Sequence, residues 1–482
     1  MRSRPRAIVI VVGITIATLL LGTAAFAMTY ATVAAGGGHA LALADDGTVW
    51  AWGVNDQGQL GDGTLQYSTA PVQVQGLPEI KAISAGNTSS MALGRDGSVW
   101  TWGSNQSGEL GDGTTTGHSR PVRISSLEQI NAIAMNAGIG MALQTNGTVW
   151  LWGQNRDGTI NSSHANVLTP LQITGVEEVA GIGLGQSSIF VFTYDCALWG
   201  WGRNTFGQLG DGSTASQTKP IRANLSACLT GIAASNHTVA LSSTGEVWTW
   251  GYNREGQLGN HTLDNTANPS LLAAPENIVA TACDQHTMAL HADGTVWVWG
   301  KNDYGQLGDG GTENRSQPQP VEGLRTVTSI AAGSMFSLAV KADGSVWAWG
   351  RNNYGQLGDG SMDNRATPVQ VSGLAGAGLL NLKQPLLATS RKATTADIPP
   401  VAFAATPTTG VAPLTVTFQP LMESGPTPVS IRWDFGDGEV TNTTNPRHTF
   451  DIPGSYIVTL NVTYRQEIFR ESMKQIVVKA HW

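Results

Sequence analysis

The feature that most constrains this chain is a four-residue motif, W-x-W-G, that occurs seven times. Successive copies begin 49 or 50 residues apart, and together they contain fourteen of the sixteen tryptophans. The first tryptophans of the copies are Trp50, Trp100, Trp150, Trp199, Trp248, Trp297 and Trp347. A period of this length indicates a small structural unit that buries its apolar faces by stacking on copies of itself.

Each copy has the pattern of four short strands. Asp-Gly or Asn-Gly joins the two middle strands in five copies, and this dipeptide suits a tight hairpin because both of its residues tolerate positive φ. A first strand of small residues fits the crowded centre of a ring. A Pro-containing last strand fits an outer edge, since proline cannot donate to a ladder. The pattern predicts an all-β, seven-bladed β-propeller over residues 29–374.

The alternative to a closed ring is an open solenoid. A solenoid needs terminal repeats with a polar outer face, whereas the first and last copies resemble the internal ones. A closed ring is therefore favoured. The sequence leaves the manner of closure open, with residues 379–382 as a candidate closing strand.

Composition agrees with a glycine-punctuated β protein. The chain has 59 glycines and only 13% charged residues, which argues against coiled coils and charged disordered tails. Its 27 basic and 35 acidic residues give a net charge of −8. Duplex binding needs clustered Lys and Arg, so no nucleic-acid partner is expected.

The N-terminal residues 1–27 have the pattern of an export signal. Arg2, Arg4 and Arg6 precede an apolar run over 7–21, and Ala25-Phe26-Ala27 resembles a cleavage site before Met28. An uncleaved membrane anchor is the less favoured alternative, because residues 7–27 are long enough to cross a bilayer. Both interpretations place the rest of the chain outside the cytoplasm, in the medium or at the cell surface.

The three cysteines, Cys196, Cys228 and Cys283, lack metal-ligand spacing. We interpret them as small buried or turn residues. A bridge between Cys196 and Cys228 is the alternative.

The repeats resemble the regulator of chromosome condensation repeat family. The resemblance depends on residues 34–43, on the W-x-W-G strands and on Gly-Gln-Leu-Gly-Asp-Gly at 58–63, 207–212, 305–310 and 355–360. It implies a propeller that binds proteins through one rim. Family members include a nuclear guanine-nucleotide exchange factor for a small GTPase that docks on chromatin, and secreted bacterial inhibitors of β-lactamases.

A second domain follows a linker at 375–399. Alternating strands over 400–480 predict a β-sandwich. This stretch resembles the polycystic kidney disease (PKD) domain through Trp-Asp-Phe-Gly-Asp-Gly at 433–438, residues 445–450 and residues 454–460. The resemblance implies an extracellular spacer or adhesion module. Asp434 and Asp437 are weak candidates for calcium ligands, and turn formation is the favoured role for both.

No catalytic residue and no cofactor are predicted. A single active site must break the sevenfold symmetry, but the repeated residues His39, His237 and His286 align with Ser, Ile and Phe elsewhere, which indicates packing. The repeated loop aspartates indicate loop capping. G-x-S-x-G, H-E-x-x-H and P-loop patterns are absent from the sequence.

The segments before each last strand vary between copies, and variable loops on a fixed scaffold are typical of binding surfaces. Within them, Tyr67, His118, Arg315 and Arg365 are the candidate binding residues. The leading hypothesis is an exported, monomeric, non-enzymatic protein that binds a protein or glycan at the cell surface. The alternatives are an exchange factor-like GTPase regulator and a secreted enzyme or enzyme inhibitor. The export signal and the acidic charge oppose the exchange factor.

Overall fold

The computed structural model describes residues 32–156, 158–273, 275–373, 376, 378–383, 402–421, 430–464 and 468–479. The chain divides into two compact units with the boundary between Leu386 and Leu387. The predicted export signal and most of the predicted linker lie outside the described residues. Among those that are described, no helix is long and apolar enough to span a membrane.

The first unit contains seven antiparallel sheets of four strands, and each sheet takes its strands in chain order from one continuous segment. We call each sheet a blade. Blades 1 to 4 comprise β1 (Val33–Ala35), β2 (His39–Leu43), β3 (Val49–Gly53), β4 (Ser68–Gln73), β5 (Ile80–Ala85), β6 (Ser89–Gly94), β7 (Val99–Gly103), β8 (His118–Arg123), β9 (Ile130–Asn136), β10 (Ile139–Gln144), β11 (Val149–Gly153), β12 (Val167–Gln172), β13 (Val179–Leu184), β14 (Ser188–Thr193), β15 (Leu198–Gly202) and β16 (Gln217–Arg222). Blades 5 to 7 comprise β17 (Leu229–Ala234), β18 (His237–Ser242), β19 (Val247–Gly251), β20 (Thr266–Leu271), β21 (Ile278–Cys283), β22 (His286–His291), β23 (Val296–Gly300), β24 (Arg315–Pro320), β25 (Val327–Gly333), β26 (Phe336–Lys341), β27 (Val346–Gly350) and β28 (Arg365–Gln370). The predicted all-β, seven-bladed propeller is confirmed.

The first strand of every blade lines a central cavity, and the fourth strand lies at the outer edge. Most of the cavity-lining residues are small or aliphatic, including Ala34, Ser84, Ala134, Leu184, Ala234, Ala282 and Ala331. Small side chains are needed there because seven strands converge on one axis. The fourth strands carry the prolines, which an edge position tolerates.

Antiparallel pairing gives the ring two different ends. The long loop between the third and fourth strands and the short turn between the first and second strands lie at one end, which we call the long-loop face. The hairpin turns between the second and third strands lie at the other end, which we call the hairpin face. In blade 1 these segments are residues 54–67 on the long-loop face and 44–48 on the hairpin face.

The second tryptophan of each W-x-W-G motif joins neighbouring blades. Its indole is buried, and its Nε1 donates a hydrogen bond of 2.7–3.0 Å to a backbone carbonyl in the preceding blade. The donor and acceptor pairs are Trp102–Gln59, Trp152–Glu109, Trp201–Thr159, Trp250–Gln208, Trp299–Gln257, Trp349–Gln306 and Trp52–Gln356. The same bond therefore occurs at all seven blade interfaces.

The ring closes where blade 7 meets blade 1. Trp52 donates to the Gln356 carbonyl at 3.0 Å, and the apolar side chains of the two blades form one buried cluster. Leu380 and Leu382 belong to that cluster. Residues 379–382 add two isolated bridges to blade 7, and the Leu382 carbonyl accepts a hydrogen bond from the Asp45 amide of blade 1. The candidate closing segment thus bridges the two blades without forming a continuous strand.

Cys196 and Cys228 form a disulfide bond, so the interpretation of both as unbridged small residues is wrong. Cys196 lies in the blade 4 hairpin turn at φ +69°, where the other hairpins have glycine. The repeat geometry explains the pairing. A Cβ built on the matching Gly294 lies 2.8 Å from the Cα of Thr326, the residue just before the next blade. Cys228 occupies that second position at the blade 4–blade 5 junction.

The second unit is a β-sandwich, as predicted, with a sheet of three strands and a sheet of five. Its core includes Phe403, Phe418, Trp433 and Phe435, with ring centroids 5.0–6.2 Å apart. The strands are β29 (Ala402–Thr406), β30 (Thr409–Val411), β31 (Leu414–Leu421), β32 (Ser430–Asp434), β33 (Val440–Thr441), β34 (Arg447–Phe450), β35 (Gly454–Tyr464) and β36 (Ile468–Lys479).

Candidate functional site

The repeated polar residues of the long-loop face hold the loops in shape. In blade 7, the buried Asn352 accepts a hydrogen bond from the Leu357 amide at 2.9 Å and donates to Asp359 at 3.2 Å. The same asparagine recurs in every blade and makes the equivalent bond to the amide five residues later; these are Asn55, Asn105, Asn155, Asn204, Asn253, Asn302 and Asn352. An amide that satisfies several loop groups at once is a structural requirement of the repeat.

The repeated loop aspartates also act within their own loops. Asp359 accepts hydrogen bonds from the backbone and hydroxyl of Ser361. Burial by itself raises the pKa of Asp359, but hydrogen bonds from Ser361 and Arg365, together with the charge of Arg365, outweigh it and lower the pKa. Such a carboxylate is ionised and already occupied. The predicted loop-capping role agrees with this arrangement.

Three of the four predicted binding residues pair with these aspartates. His118 Nε2 lies 3.0 Å from Asp112, Arg315 donates to Asp309 at 3.0 and 3.1 Å, and Arg365 Nε donates to Asp359 at 2.9 Å. All three lie at the first position of a fourth strand, paired with the glycine of W-x-W-G. Each of the three side chains is paired with an aspartate of its own blade, and their binding role stays a prediction.

Tyr67, the fourth predicted residue, is 46% exposed and belongs to a cluster that the sequence analysis missed. Its ring packs edge-on against Tyr354 at 5.8 Å. The Arg351 guanidinium lies 5.6 Å from the Tyr354 ring centroid and 5.4 Å from that of Tyr304. We call Tyr67, Tyr304, Arg351 and Tyr354 the tyrosine–arginine cluster. It lies on the long-loop face and spans blades 6, 7 and 1.

The three repeated histidines are buried packing residues, as predicted. Ser90 donates its only hydroxyl proton to the Gln59 carbonyl at 2.8 Å, so His39 Nε2–H must donate to Ser90, 2.9 Å away. His237 and His286 make the matching contacts to Thr287 and Ser337. Burial lowers the pKa of His39 to about 4 and those of His237 and His286 to about 3, so all three rings are neutral at pH 7.

One partly buried acid lies beside the central cavity. Burial raises the pKa of Asp284 to about 6, and its Oδ1 has no hydrogen-bond partner among the described residues. Burial also raises the pKa of the adjacent Cys283 thiol well above its usual value. A protonated thiol is a poor nucleophile, so Cys283 is unsuited to covalent chemistry at neutral pH.

The two calcium candidates form turns in the second unit. Asp434 accepts a hydrogen bond from the Gly436 amide at 2.9 Å, and Asp437 accepts one from the Glu439 amide at 3.1 Å. Asp437 also contacts His448 Nε2 at 2.6 Å. Across the described ranges, no group of three or more His, Cys, Asp or Glu side chains is placed to hold a metal ion. Their calcium role stays a prediction without a supporting contact.

These features define a seven-bladed β-propeller followed by a β-sandwich. The RCC1-like domain matches residues 17–234, and the regulator of chromosome condensation (RCC1) repeat matches 244–290, 293–340 and 343–380. The chain belongs to this repeat family. A PKD domain matches residues 397–478, which confirms the second resemblance.

Solved structures share the propeller fold. Prp20p from Saccharomyces cerevisiae, described with its binding to Gsp1p and histones, is 22% identical, with a TM-score of 0.63 over 74% of this chain and 96% of that one. Human WBSCR16 is 20% identical, with a TM-score of 0.61 over 67% of this chain and 94% of that one. At these identities the likeness shows the fold alone.

Curated relatives match only a short part of the chain. The E3 ubiquitin-protein ligase HERC2 of Homo sapiens is 53% identical over 45 residues, which are 9% of this chain. The match spans 1% of the length of that ligase, and the Mus musculus protein gives the same values.

Proposed function

We propose that this chain is a protein-binding propeller and that its long-loop face recognises the partner. The observation that carries the proposal is the division of labour within the loops. The repeated Asn of every blade and the loop Asp or Asn that it contacts are occupied by hydrogen bonds that hold the loop. By contrast, large exposed residues such as Leu65, Tyr67 and Met362 differ between blades. These exposed residues can vary because the fold of the loop does not depend on them, and a recognition surface requires residues of this kind.

The family supports a protein as the partner. Prp20p is described as binding Gsp1p and histones, which are proteins. Among the functions considered, these comparisons lend more support to a GTPase regulator than to an exported adhesion protein. The regulator is therefore the second candidate. Its direct test is whether the purified chain accelerates release of labelled nucleotide from small GTPases of the host.

The exported form of the proposal depends on residues 1–27 and on the PKD domain. In this form the propeller binds its partner outside the cytoplasm and the sandwich serves as a spacer. Cell fractionation combined with N-terminal sequencing of the mature chain tests it. Recovery outside the cytoplasm is expected, and recovery of the chain only in the cytosol would exclude export and leave the GTPase regulator as the better candidate.

The choice of face is tested with two matched tyrosines. Tyr67 is 46% exposed on the long-loop face, and Tyr194 is 47% exposed on the hairpin face. Each is replaced in turn by a photo-crosslinking phenylalanine derivative, and the chain is irradiated in host cells. Protein adducts are expected from position 67 and not from position 194. Adducts from 194 alone, or equal adducts from both positions, would contradict the proposal.

A further inference from the structure

The tyrosine–arginine cluster is not required by the propeller fold. The position of Tyr304 and Tyr354, just before the first glycine of Gly-Gln-Leu-Gly, is occupied by Gln57, Ser107 and Glu255 in other blades. The position of Arg351 is occupied by residues as different as Val, Ser and Tyr. All of these blades form the same four strands and the same loop bonds. The cluster is therefore a local departure from the repeat. Blade 4 has an arginine beside one aromatic ring at the same positions, Arg203 and Phe206, whereas the cluster joins tyrosines of three blades where the ring closes.

Arg351 differs from the other basic residues of its neighbourhood because it has no acidic partner among the described residues. Lys301 pairs with Asp303 at 3.3 Å, and Arg315 and Arg365 pair with their loop aspartates. No ion pair to Arg351 occurs in the part of the chain that the structure describes, and its buried Nε lacks a hydrogen-bond partner there. The rings of Tyr304 and Tyr354 instead lie beside the guanidinium, and no hydrogen bond from it to another described residue is found.

Exposed apolar side chains lie in the long loops of blades 1 and 7, which also carry Tyr67 and Tyr354 of the cluster. Leu65 is 57% exposed in the blade 1 loop, and Met362 is 54% exposed in the blade 7 loop. The loops are adjacent, because the Gly360 amide donates to the Thr69 carbonyl at 2.9 Å. A positioned guanidinium among tyrosines, flanked by exposed apolar residues, has the composition of a protein-interface hot spot.

We propose that the tyrosine–arginine cluster docks a protein segment in which an Asp or Glu lies next to apolar residues. This inference rests on the proposed function and specifies the chemistry of the partner. The guanidinium is a planar fork that matches a carboxylate through two parallel hydrogen bonds, and stacking on tyrosine rings already restricts its motion. Apolar neighbours of the acid cover Leu65 and Met362, which a sugar does not match as well. In a chain of net charge −8, this free arginine selects locally for an acidic partner.

The test uses a random peptide library displayed on phage and selected on the full chain. Peptides that combine Asp or Glu with adjacent apolar residues are expected to be enriched. A representative peptide is then synthesised, together with a twin in which Asp and Glu are replaced by Asn and Gln. Arg351→Ala is expected to weaken binding of the acidic peptide at least tenfold. Arg351→Lys, which keeps the charge and loses the fork, is expected to weaken it about threefold or more.

Arg203→Ala is the matched control. Arg203 lies on the same face at the same repeat position, 5.7 Å from the Phe206 ring, but its Nε donates to Thr205. Arg203→Ala is expected to change the affinity for the acidic peptide less than twofold. Unfolding midpoints are measured for every variant, so that a misfolded protein is not mistaken for a binding defect.

Three results of the peptide experiments would overturn the inference. They are the absence of any enriched peptide, enrichment without acidic residues, and equal binding by Arg351→Ala and the unaltered chain. Crosslinking from position 67 distinguishes failure of the acidic-segment inference from failure of the proposed function. Adducts at 67 with an unaffected Arg351→Ala variant would leave the long-loop face as a binding surface and remove only the acidic-segment assignment. Selective capture of anionic glycans in place of peptides would also overturn it.

Discussion

Replacing His39 by phenylalanine tests the buried histidine and its effect on stability. The substitution is suited to the site because Phe336 occupies the same repeat position in blade 7 and is fully buried there. His39 has a pKa of about 4 in the folded chain, below the usual 6.5, and burial is the cause. The unfolded chain therefore takes up a proton at this residue at a higher pH than the folded chain does.

The sign and size of the effect follow from this difference. Above about pH 6.5 the ring is neutral in both states and contributes no pH dependence. As pH falls from 6.5 towards 4, the unfolded state gains a proton that the folded state excludes, and stability is lost. At pH 5 the loss amounts to about 2 kcal/mol relative to pH 8, from about 1.4 kcal/mol per pKa unit.

The assay is guanidinium unfolding at pH 8 and pH 5, followed by tryptophan fluorescence. Fourteen of the sixteen tryptophans belong to the propeller motif, so the signal reports mainly on that unit. Between pH 8 and pH 5, His39→Phe is expected to lose about 2 kcal/mol less stability than the unaltered chain. His261→Gln, which removes an exposed histidine, is the control and is expected to follow the unaltered chain. Parallel pH dependences for His39→Phe and the unaltered chain would refute the reasoning.

Three further predictions concern other parts of the propeller. Reduction of Cys196–Cys228 is expected to lower the free energy of unfolding by about 3–4 kcal/mol, because the bond closes a loop of sequence separation 32. The Cys196→Ser variant should show no effect of reductant. A loss of stability on adding reductant to that variant would contradict the assignment. Asn352→Ala is expected to cost about 2–3 kcal/mol in chemical unfolding, since it leaves loop groups unpaired, and a loss below about 0.5 kcal/mol would argue against the structural role of the repeated asparagine. Asp284→Asn is expected to stabilise the chain by up to about 3 kcal/mol at pH 7.5, where the acid is ionised in both states and partly buried in the folded one. The gain is expected to fade as pH falls from about 6 towards 3.8, because folded Asp284 takes up a proton over this range. A gain independent of pH would contradict a raised pKa.

The parts of the fold that repeat could be predicted from the sequence. The W-x-W-G spacing specified the number of blades, the Asp-Gly turns specified the hairpins, and proline marked the outer strands, because each feature depends on local backbone chemistry repeated seven times. The packing role of His39 followed from the residues aligned with it. What the sequence did not show is that the indole of Trp52 bonds a carbonyl across the closing interface, 304 residues away in the chain.

The candidate site was predicted less well, for a physical reason. His118, Arg315 and Arg365 are large and variable, but each lies six residues after a loop aspartate, within reach of it once the loop folds back. Arg351 was missed because its significance depends on tyrosines in two blades. The signal was present as tyrosine before glycine in two consecutive copies. The Cys196–Cys228 bond follows the repeat geometry, since the hairpin-turn position of one blade lies against the residue that precedes the next blade.

The construction of every blade from one uninterrupted segment has a consequence for how such a chain can change over evolutionary time. No strand of the described propeller is exchanged between blades, so duplication or deletion of a whole repeat leaves no strand without its sheet. The tryptophan bond at each interface is the same, and an inserted copy would present the expected donor and acceptor to both neighbours. The geometry of ring closure then limits the copy number, while each loop remains free to diverge independently of the other six.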